Sequence, residues 1–467
     1  MKRQLHIIIF ISLLISGNID AQITFERTYS TGSTSWGQSV QQLDDNGYLF
    51  SGYSYGTFGF IYLTRTNQYG DTIWNKFYPG WMDDYGSSLM IDDHQQVVIC
   101  GTAIVQMNDA ELIKADLNGD TLWMNHYGGN DEGSANAIDQ SFDGGYIMTG
   151  KSNSNVNLVK TDSNGVFQWQ KTYADLFLNV GLDVIQTHDS GYAVCGYTTY
   201  ITKGPVQDIA LIFVLKTNKN GDFLWSRSID YFCGQAAYSL IETSDSGFLL
   251  CGYSNPSGYL GHTSVFLLKL NESGDSIWSA TFPLNSEWNE GRCVSKCSNG
   301  NYVVCGFTGT YGGDVDGFIM EIGPLGNLLW SSVYGGESPD KLNNVKETSD
   351  QGFIACGYSK SFGNSQKKVY LVKTDENGFV SAIPEIREND AVVIFPNPCN
   401  GTFRIQSDQK INKIIVFASD GRTIFKKDLS SSEKNNVSMS IPAIKPGIYT
   451  LTIYSDKQII SKKLIIQ

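Results

Sequence analysis

Charged residues are scarce in this sequence, and histidines are rarer still. Asp, Glu, Lys and Arg make up 17% of the 467 residues, five residues are histidine, and 41% are hydrophobic. A chain this apolar is not disordered. No two histidines share the spacing of metal ligands, and the HExxH, GxSxG and P-loop motifs are missing. These absences exclude the common signatures of zinc proteases, serine hydrolases and nucleotide-binding proteins.

Cofactor motifs and basic surface charge are also lacking. EF-hand spacing does not occur, so although an Asp-rich loop could accommodate Ca²⁺, we predict no metal and no cofactor. Catalytic residues stay unknown. The net charge of −13 would repel phosphates, which argues against nucleic acid as a partner.

Long hydrophobic runs are missing after the N-terminus. Lys2 and Arg3 precede an apolar run from Ile7 to Ile15, and small and polar residues follow up to Ala21. This order is typical of a secretory signal peptide. We predict a signal at residues 1–21 and a soluble extracytoplasmic mature chain with no transmembrane segment. A membrane anchor is the alternative, but the run is shorter than the roughly 20 residues that span a bilayer.

Cysteines show no zinc pattern. Five of the nine precede a glycine in one repeated strand: Cys100, Cys195, Cys251, Cys305 and Cys356. Equivalent positions in successive repeats are too far apart for a disulfide, which needs Cα atoms within about 7 Å. We therefore predict buried apolar cysteines. Cys293 and Cys297 form the one conceivable local pair, and we expect it to stay reduced.

Glycines and aromatic residues are abundant and recur in a repeated phrase. D-x-G-[YF], followed by a short apolar strand and a glycine, occurs at 45–52, 143–150, 189–196, 245–252 and 350–357, with degenerate copies at 94–101 and 299–306. Seven copies at a mean period of about 51 residues lie near the 40 to 50 residues of propeller blades.

A second phrase, [DN]-x-x-G-x-x-x-W, follows each copy. It ends at Trp74, Trp123, Trp169, Trp225, Trp278 and Trp330, and the seventh copy at 374–382 has lost the tryptophan. The Asx residue and the glycine suit a hairpin turn, and the tryptophan can fill the gap between neighbouring sheets. The phrase resembles the tryptophan-docking repeat of quinoprotein-type propellers, a likeness that concerns packing only.

Four strands per period predict the fold. Four-stranded sheets arranged radially form a β-propeller, so we predict an all-β chain with a seven-bladed propeller at 22–384. The last repeat ends after its third strand near Val380, while "ITFERTYSTG" at the mature N-terminus matches the outer strand of the other repeats. We expect this N-terminal strand to pair with the stretch around Tyr370 and close the ring, because an open blade would leave a strand edge unpaired.

The composition changes after the last repeat. Residues 389–467 carry 11 Lys and Arg against 6 Asp and Glu, in a chain of net charge −13. We place a linker at 385–391 and a small β-sandwich at 392–467. Four blocks of this tail, "FPNPCNGTFRI", "INKIIVFASDGRTIF", "KPGIYTLTIY" and "KKLIIQ", resemble the type A C-terminal sorting domain of the type IX secretion system of Bacteroidetes.

That resemblance implies export across the outer membrane to the cell surface or the medium, with the type IX machinery as partner. It also implies a sorting signal that includes Pro396, Asn397, Pro398, Gly401, Gly421, Gly447, Tyr449, Lys462 and Lys463. A carbohydrate-binding or Ig-like accessory domain is the alternative interpretation of the tail.

Loop lengths indicate where a ligand would bind. Turns after the first and third strands of each blade are short and repeated, whereas connections on the opposite face vary, as at 197–208, 253–264, 282–291 and 307–317. Binding residues concentrate on such loops. We expect the three tryptophans outside the repeat to lie in loops before the first strand of a blade, beside carboxylates. The candidate ligand-binding residues are Trp36, Trp81, Asp83, Asp84, Tyr85, Trp288, Glu290 and Tyr311.

These observations predict a secreted or surface-displayed, non-catalytic propeller that binds an extracellular carbohydrate or protein through the variable face. An extracellular carbohydrate-active hydrolase or lyase with paired carboxylates among Asp83, Asp84 and Glu290 is the alternative. A structural envelope component is a third interpretation. Aromatic residues that merely pin down their own loops would give the same pattern without a ligand.

Overall fold

The regular elements of this chain are β-strands throughout the part that the computed structural model describes. That part comprises residues 22–31, 34–55, 59–78, 85–104, 108–128, 133–174, 178–200, 209–230, 234–255, 262–284, 287–362, 366–380, 392–397, 399–407, 410–418, 422–429, 436–441, 444–455 and 459–466. The predicted signal peptide and linker lie outside these ranges. Within them, no helix has the length and apolarity needed to cross a membrane.

The first twenty-eight strands form seven four-stranded antiparallel sheets. The N-terminal strand is β1 (Phe25–Tyr29). Blade one holds β2 (Thr34–Gln42), β3 (Tyr48–Tyr55), β4 (Gly59–Thr66) and β5 (Thr72–Tyr78). Blade two holds β6 (Tyr85–Ile91), β7 (Val97–Ile104), β8 (Asn108–Ala115) and β9 (Thr121–Tyr127). Blade three holds β10 (Ala137–Gln140), β11 (Tyr146–Ser152), β12 (Asn155–Thr161) and β13 (Phe167–Tyr173).

The remaining blades follow the same order. Blade four holds β14 (Leu178–Gln186), β15 (Tyr192–Tyr200), β16 (Ile209–Thr217) and β17 (Phe223–Ile229). Blade five holds β18 (Gln235–Glu242), β19 (Phe248–Ser254), β20 (Ser264–Leu270) and β21 (Ser276–Phe282). Blade six holds β22 (Trp288–Lys296), β23 (Tyr302–Gly309), β24 (Val315–Ile322) and β25 (Leu328–Tyr334). Blade seven holds β26 (Asp340–Glu347), β27 (Phe353–Ser359) and β28 (Lys368–Thr374).

Strand β1 completes blade seven. It runs antiparallel to β28, with Phe25 opposite Lys373 and Thr28 opposite Tyr370, and the sheet order is β1-β28-β27-β26. The predicted ring closure through the N-terminal strand is therefore confirmed, and so is the seven-bladed all-β fold.

A buried basic residue in the third strand explains the repeated D-x-G phrase. In blade five, Lys269 Nζ lies 3.0 Å from Asp245 Oδ1 and donates to the carbonyl oxygen of Leu270, while Asp245 accepts the N–H of Gly247. The same pairing joins Lys160 to Asp143, Lys216 to Asp189 and Lys373 to Asp350. A buried ammonium group needs such partners, since an unpaired one is costly.

The tryptophan of each fourth strand docks on the turn of the next blade. A Cβ at Gly119 would lie 2.7 Å from the ring of Trp74. In the same contact, Tyr78 donates from its hydroxyl to the carbonyl oxygen of Gly119 over 3.0 Å, and Lys76 Nζ lies 2.7 Å from Asp120. The structure shows that the tryptophan fills the space between neighbouring sheets, as predicted. The turn aspartate forms an ion pair with the preceding blade.

The closing strand repeats this contact with different residues. Phe25 takes the place of the tryptophan over Gly70, Tyr29 donates to the carbonyl oxygen of Gly70 over 2.7 Å, and Arg27 pairs with Asp71. The order F-x-R-x-Y in β1 thus matches W-x-K-x-Y in β5, so the junction between blades seven and one is built like the others.

Side chains at the ends of the innermost strands join neighbouring blades. In five blades, a Gln or Glu at the last position of the innermost strand accepts a backbone N–H from the first turn of the preceding blade. The pairs are Gln42 with Ser349, Gln140 with Asp93, Gln186 with Phe142, Glu242 with His188 and Glu347 with Ser298. Because separate sheets share no backbone ladder, these bonds connect the ring around the central channel.

The second compact unit begins at Ser381, and the first ends at Val380. Its seven strands are β29 (Val392–Phe395), β30 (Thr402–Ser407), β31 (Ile411–Ala418), β32 (Thr423–Asp428), β33 (Asn436–Ser440), β34 (Gly447–Ser455) and β35 (Ile459–Ile466). They form a three-stranded sheet, β29-β30-β33, and a four-stranded sheet, β32-β31-β34-β35. Phe403 and Ile405 of one sheet share a core with Val416 and Leu451 of the other, which makes this unit a small β-sandwich.

Cysteines contribute to the cores without forming disulfides. The eight in the described ranges are all buried and free, Cys293 and Cys297 included. Burial raises the pKa of the Cys297 thiol to about 12, so this side chain behaves as a small apolar group.

Candidate functional site

A β-bulge interrupts the innermost strand near its start in six of the seven blades. The register shifts across Gly37/Ser39 in β2 and Gly291/Cys293 in β22, with matching shifts in β6, β14, β18 and β26. Five of the extra residues line a central cavity of about 270 Å³: Gln38, Leu182, Tyr238, Arg292 and Asn343. Bulges of this kind re-aim side chains next to functional sites.

A group of aromatic and basic side chains lies toward the variable face, and two of its members, Tyr238 and Arg292, also line the central cavity. Innermost strands end in the repeated D-x-G turns, so their first residues lie at the opposite, variable face. Trp288 is the first residue of β22, and Trp36 is the third residue of β2. We call the group the mouth cluster and define it as Trp36, Tyr53, Tyr238, Trp288, Glu290, Arg292, Phe307, Tyr311, Lys341, Tyr358 and Lys367.

Blade six supplies one half of the mouth cluster. The ring of Trp288 meets Phe307 edge to face at 4.9 Å and Tyr311 at 5.3 Å between centroids. Phe307 is fully buried, whereas Tyr311 is 57% exposed. Trp288 Nε1 donates to Glu290 Oε1 over 2.9 Å, and Arg292 Nη2 lies 2.7 Å from Glu290 Oε2. Glu290 therefore accepts from both neighbours along its own strand.

Lys341 of blade seven extends over the aromatic rings of blade six. Its Nζ lies 3.4 Å from the centroid of Phe307 and 4.3 Å from that of Trp288. Burial lowers the pKa of Lys341 to about 8, repulsion from Arg292 and Lys367 acts in the same direction, and Glu290 opposes it. The ammonium group is held by cation–π attraction.

Lys367 makes the corresponding contact on the blade-one side. Its Nζ lies 4.3 Å from the ring centroid of Tyr358 and 4.7 Å from that of Trp36. Trp36 in turn stacks on Tyr53, with centroids 4.6 Å apart and planes at 21°. Burial, together with the charge of Lys360, lowers the pKa of Lys367. Blade seven thus directs one lysine toward each flanking tryptophan.

The predicted site residues are only partly brought together. Trp288 contacts Glu290 and Tyr311, and Trp36 lies on the other side of blade seven. The prediction that Trp36 and Trp288 lie in loops is wrong: they stand opposite Tyr53 and Gly309 inside β2 and β22. The reason is that the second strand of each blade continues past its closing glycine and offers further ladder partners.

The other predicted residues lie in the variable connection between blades one and two. Trp81, Asp83 and Asp84 are outside the described residues. The backbone of Tyr85 begins β6, opposite Thr102. Their assignment to a ligand site therefore stays a prediction.

The basic members of the cluster were missed by the sequence analysis. Arg292 is the extra residue of a bulge, and its guanidinium lies 4.0 Å from the ring centroid of Tyr238 in the neighbouring blade. The signal that could have revealed it is the Gly-x pair at the start of the innermost strands. Lys341 and Lys367 carry no repeated motif, and only the ring geometry brings them to the mouth.

One further group of possible metal ligands occurs among the residues described. Asp92, Asp93 and His94 lie within ligand distance of one another in the first turn of blade two. Asp92 is already engaged, since it pairs with Lys114 at 2.9 Å and accepts from the hydroxyl of Tyr146 at 2.8 Å. Asp92 thus pairs with the third-strand lysine as the D-x-G aspartates do in other blades, but from two positions earlier in the turn.

The C-terminal sandwich is organised by the residues of its first block. Asn397 Oδ1 accepts the N–H of Ile465 over 2.9 Å, and Gly401, at φ +90°, accepts the N–H of Ile441. These contacts fasten the start of the domain to its last strand and to the end of β33. Pro398 and Gly421 lie outside the described residues.

Comparison with known families identifies this sandwich. Residues 393–467 match the family described as the secretion system C-terminal sorting domain. The tail is a type IX sorting domain, which implies a Bacteroidetes origin and indicates export to the cell surface or the medium. No curated protein matches the chain in sequence.

Solved structures resemble the chain weakly. Drosophila Semaphorin 2a is 6% identical with a TM-score of 0.48, over 94% of this chain and 97% of that chain. A protein of unknown function from Dyadobacter fermentans DSM 18053 is 7% identical, with a TM-score of 0.44 over 75% and 97%. The polysaccharide lyase Uly1 is 10% identical, with a TM-score of 0.44 over 78% and 94%. Similarity at this level says nothing about activity or ligand.

Proposed function

We propose that this chain is a secreted or surface-displayed, non-catalytic propeller that binds an extracellular carbohydrate or protein at the mouth cluster. In this proposal a signal peptide at residues 1–21 directs the chain out of the cytoplasm, and the sorting domain delivers it to the type IX machinery. The propeller is then the cargo that acts outside the cell.

The mouth cluster is the observation that supports binding. A purely structural set of aromatic residues would be buried, as Phe307 is, but Tyr311 is 57% exposed next to Trp288. Partly exposed aromatic planes with a few polar groups at a concave opening are the usual composition of a ligand site. The innermost strands begin on the face to which the variable connections belong, whereas the opposite face carries repeated turns.

The enzymatic alternative gains no support from Glu290. Its two carboxylate oxygens accept from Trp288 and Arg292, so both oxygens are engaged in structural contacts. The other carboxylates of this alternative, Asp83 and Asp84, lie outside the described residues.

The experiment is a binding screen with matched variants. Full-length protein, Trp36→Ala and Trp288→Ala are applied to a glycan array and to a panel of extracellular proteins. The control is Phe142→Ala, which removes a 68% exposed aromatic side chain from the repeated turn face. We expect the tryptophan variants to lose at least about tenfold in affinity, which corresponds to 1.4 kcal/mol, and the control to bind normally. Unchanged binding by folded tryptophan variants would refute the proposal.

A further inference from the structure

We infer that the mouth cluster selects an anionic saccharide, a glycan that bears carboxylate or sulfate groups. Its charged groups would contact Lys341, Lys367 and Arg292, whose neighbours include Trp36 and Trp288, while a sugar ring lies along the exposed ring of Tyr311. This inference rests on the proposed function, because it names the ligand class of the same site.

The charge balance at the mouth is the first argument. Arg292 and Lys367 both disfavour the charged form of Lys341, and Glu290, which pairs with Arg292, opposes them. In the described part of the chain, neither Lys341 Nζ nor Lys367 Nζ has a hydrogen-bond acceptor or a carboxylate partner. Arg292 Nε is buried and likewise lacks an acceptor there. Elsewhere in the propeller, buried lysines are paired with an aspartate of their own blade.

An unpaired, partly buried cation is costly, and an anion would relieve that cost. Unpaired cations are also unexpected in a chain whose net charge is −13. Both ammonium groups rest on ring faces, and a lysine has three N–H donors, so those that point away from the rings are not used by this contact. Those donors remain available to an incoming carboxylate or sulfate oxygen.

The aromatic planes decide between a saccharide and an acidic peptide. Lys341 lies over Trp288 and Lys367 over Trp36, so the two tryptophan rings support the cations. The exposed ring beside them is that of Tyr311, which is 57% exposed and contacts Trp288. A charged pyranose has an apolar ring face beside an anionic edge and matches the exposed ring and the cations at once, whereas an acidic peptide would satisfy the lysines but has no comparable use for the ring of Tyr311.

The test compares polysaccharides that differ in charge alone. Full-length protein is titrated with dextran sulfate against neutral dextran, and with polygalacturonate against fully methyl-esterified pectin, with polyglutamate as the peptide probe. The variants are Lys341→Met and Lys367→Met, which keep the aliphatic stem. The matched control is Lys171→Met, because Lys171 also lies over a tryptophan, Trp169, but pairs with Asp222 at 2.6 Å.

We expect binding to at least one charged polymer, none to its neutral counterpart, and a loss of about tenfold for each mouth variant, the size of one charge-assisted hydrogen bond. Lys171→Met should bind like the wild type. Binding should also weaken as the pH rises through about 8, where Lys341 loses its proton beside Arg292, Lys367 and Glu290, and this step should be missing in Lys341→Met.

Other results overturn the inference in distinguishable ways. Equal binding of charged and neutral polymers would refute charge selection while leaving the proposed function intact. Polyglutamate binding with the same dependence on Lys341 would make the ligand class an acidic peptide. An equal loss of affinity in Lys171→Met would show that the polymer responds to positive charge in general and not to the mouth cluster. Failure to bind any of the polymers would refute the inference, and the tryptophan variants on the array would then decide the proposed function separately.

Discussion

Replacing Phe25 with alanine should loosen the ring at its point of closure. Phe25 is 8% exposed, and a Cβ at Gly70 would lie 3.0 Å from its ring, so the side chain fills the space above the turn of blade one. Truncation of a buried phenylalanine costs about 3 to 5 kcal/mol, and we expect the lower value, about 3 kcal/mol, because β1 has one strand neighbour only. Tyr29→Phe removes just the hydrogen bond to Gly70 and should cost about 1 kcal/mol.

The assay is urea unfolding of the full chain, followed by tryptophan fluorescence and expressed as the free energy of unfolding. Phe167→Ala is the matched control, since Phe167 lies in the outer strand β13 but is 51% exposed, and its loss should stay within about 0.5 kcal/mol. If Phe25→Ala and Phe167→Ala were equally stable, β1 would not seal the ring, and the grouping of the mouth residues would lose its structural basis.

Three further predictions concern the scaffold and export. Gly119→Ala should lower the melting temperature more than Gly144→Ala, although both glycines have positive φ. An added Cβ would lie 2.7 Å from the Trp74 ring at Gly119, whereas at Gly144 the nearest atom would be 3.9 Å away. Equal shifts in melting temperature would contradict the docking contact. Burial raises the pKa of Asp183 to about 6, because the folded chain favours the neutral carboxyl. The stability that this neutral form contributes is complete below pH 4 and is lost as the pH rises through 6. Asp183→Asn should therefore raise the free energy of unfolding at pH 7 by on the order of 1 kcal/mol and change it little at pH 4.5, and equal effects at the two pH values would refute this. Deletion of 381–467 should abolish surface delivery in a type IX-competent strain, and normal delivery on fractionation would contradict the sorting role.

The scaffold could be predicted from the sequence because its signals are local and repeated. The turn glycine recurs in all seven periods, the tryptophan four residues after it recurs in six, and the intact D-x-G turn recurs in five. The pairing of the closing strand could also be predicted, because its sequence F-x-R-x-Y matches the W-x-K-x-Y of an outer strand. The corresponding residues are Phe25, Arg27 and Tyr29 in β1 and Trp74, Lys76 and Tyr78 in β5. Each of these residues has the same partner in the neighbouring blade, so one repeat explains the others.

The mouth cluster could be predicted only in part because it depends on non-repeated residues. Trp36 and Trp288 stood out as tryptophans outside the repeat, but their place within strands follows from how far β3 and β23 extend. Lys341 and Lys367 reach their aromatic partners across blade boundaries. The spacing of residues within a repeat does not predict these contacts, because they form only once the seven sheets have closed into a ring.

Hydrogen exchange with and without dextran sulfate tests the central claim most directly. If the mouth of the closed ring is the binding surface, the polymer should slow amide exchange at residues 35–38, 288–293 and 340–343, and leave the repeated turns at 141–145 and 162–166 unchanged. Slowed exchange confined to the repeated turns or the outer strands, with no effect at the starts of β2, β22 and β26, would contradict it.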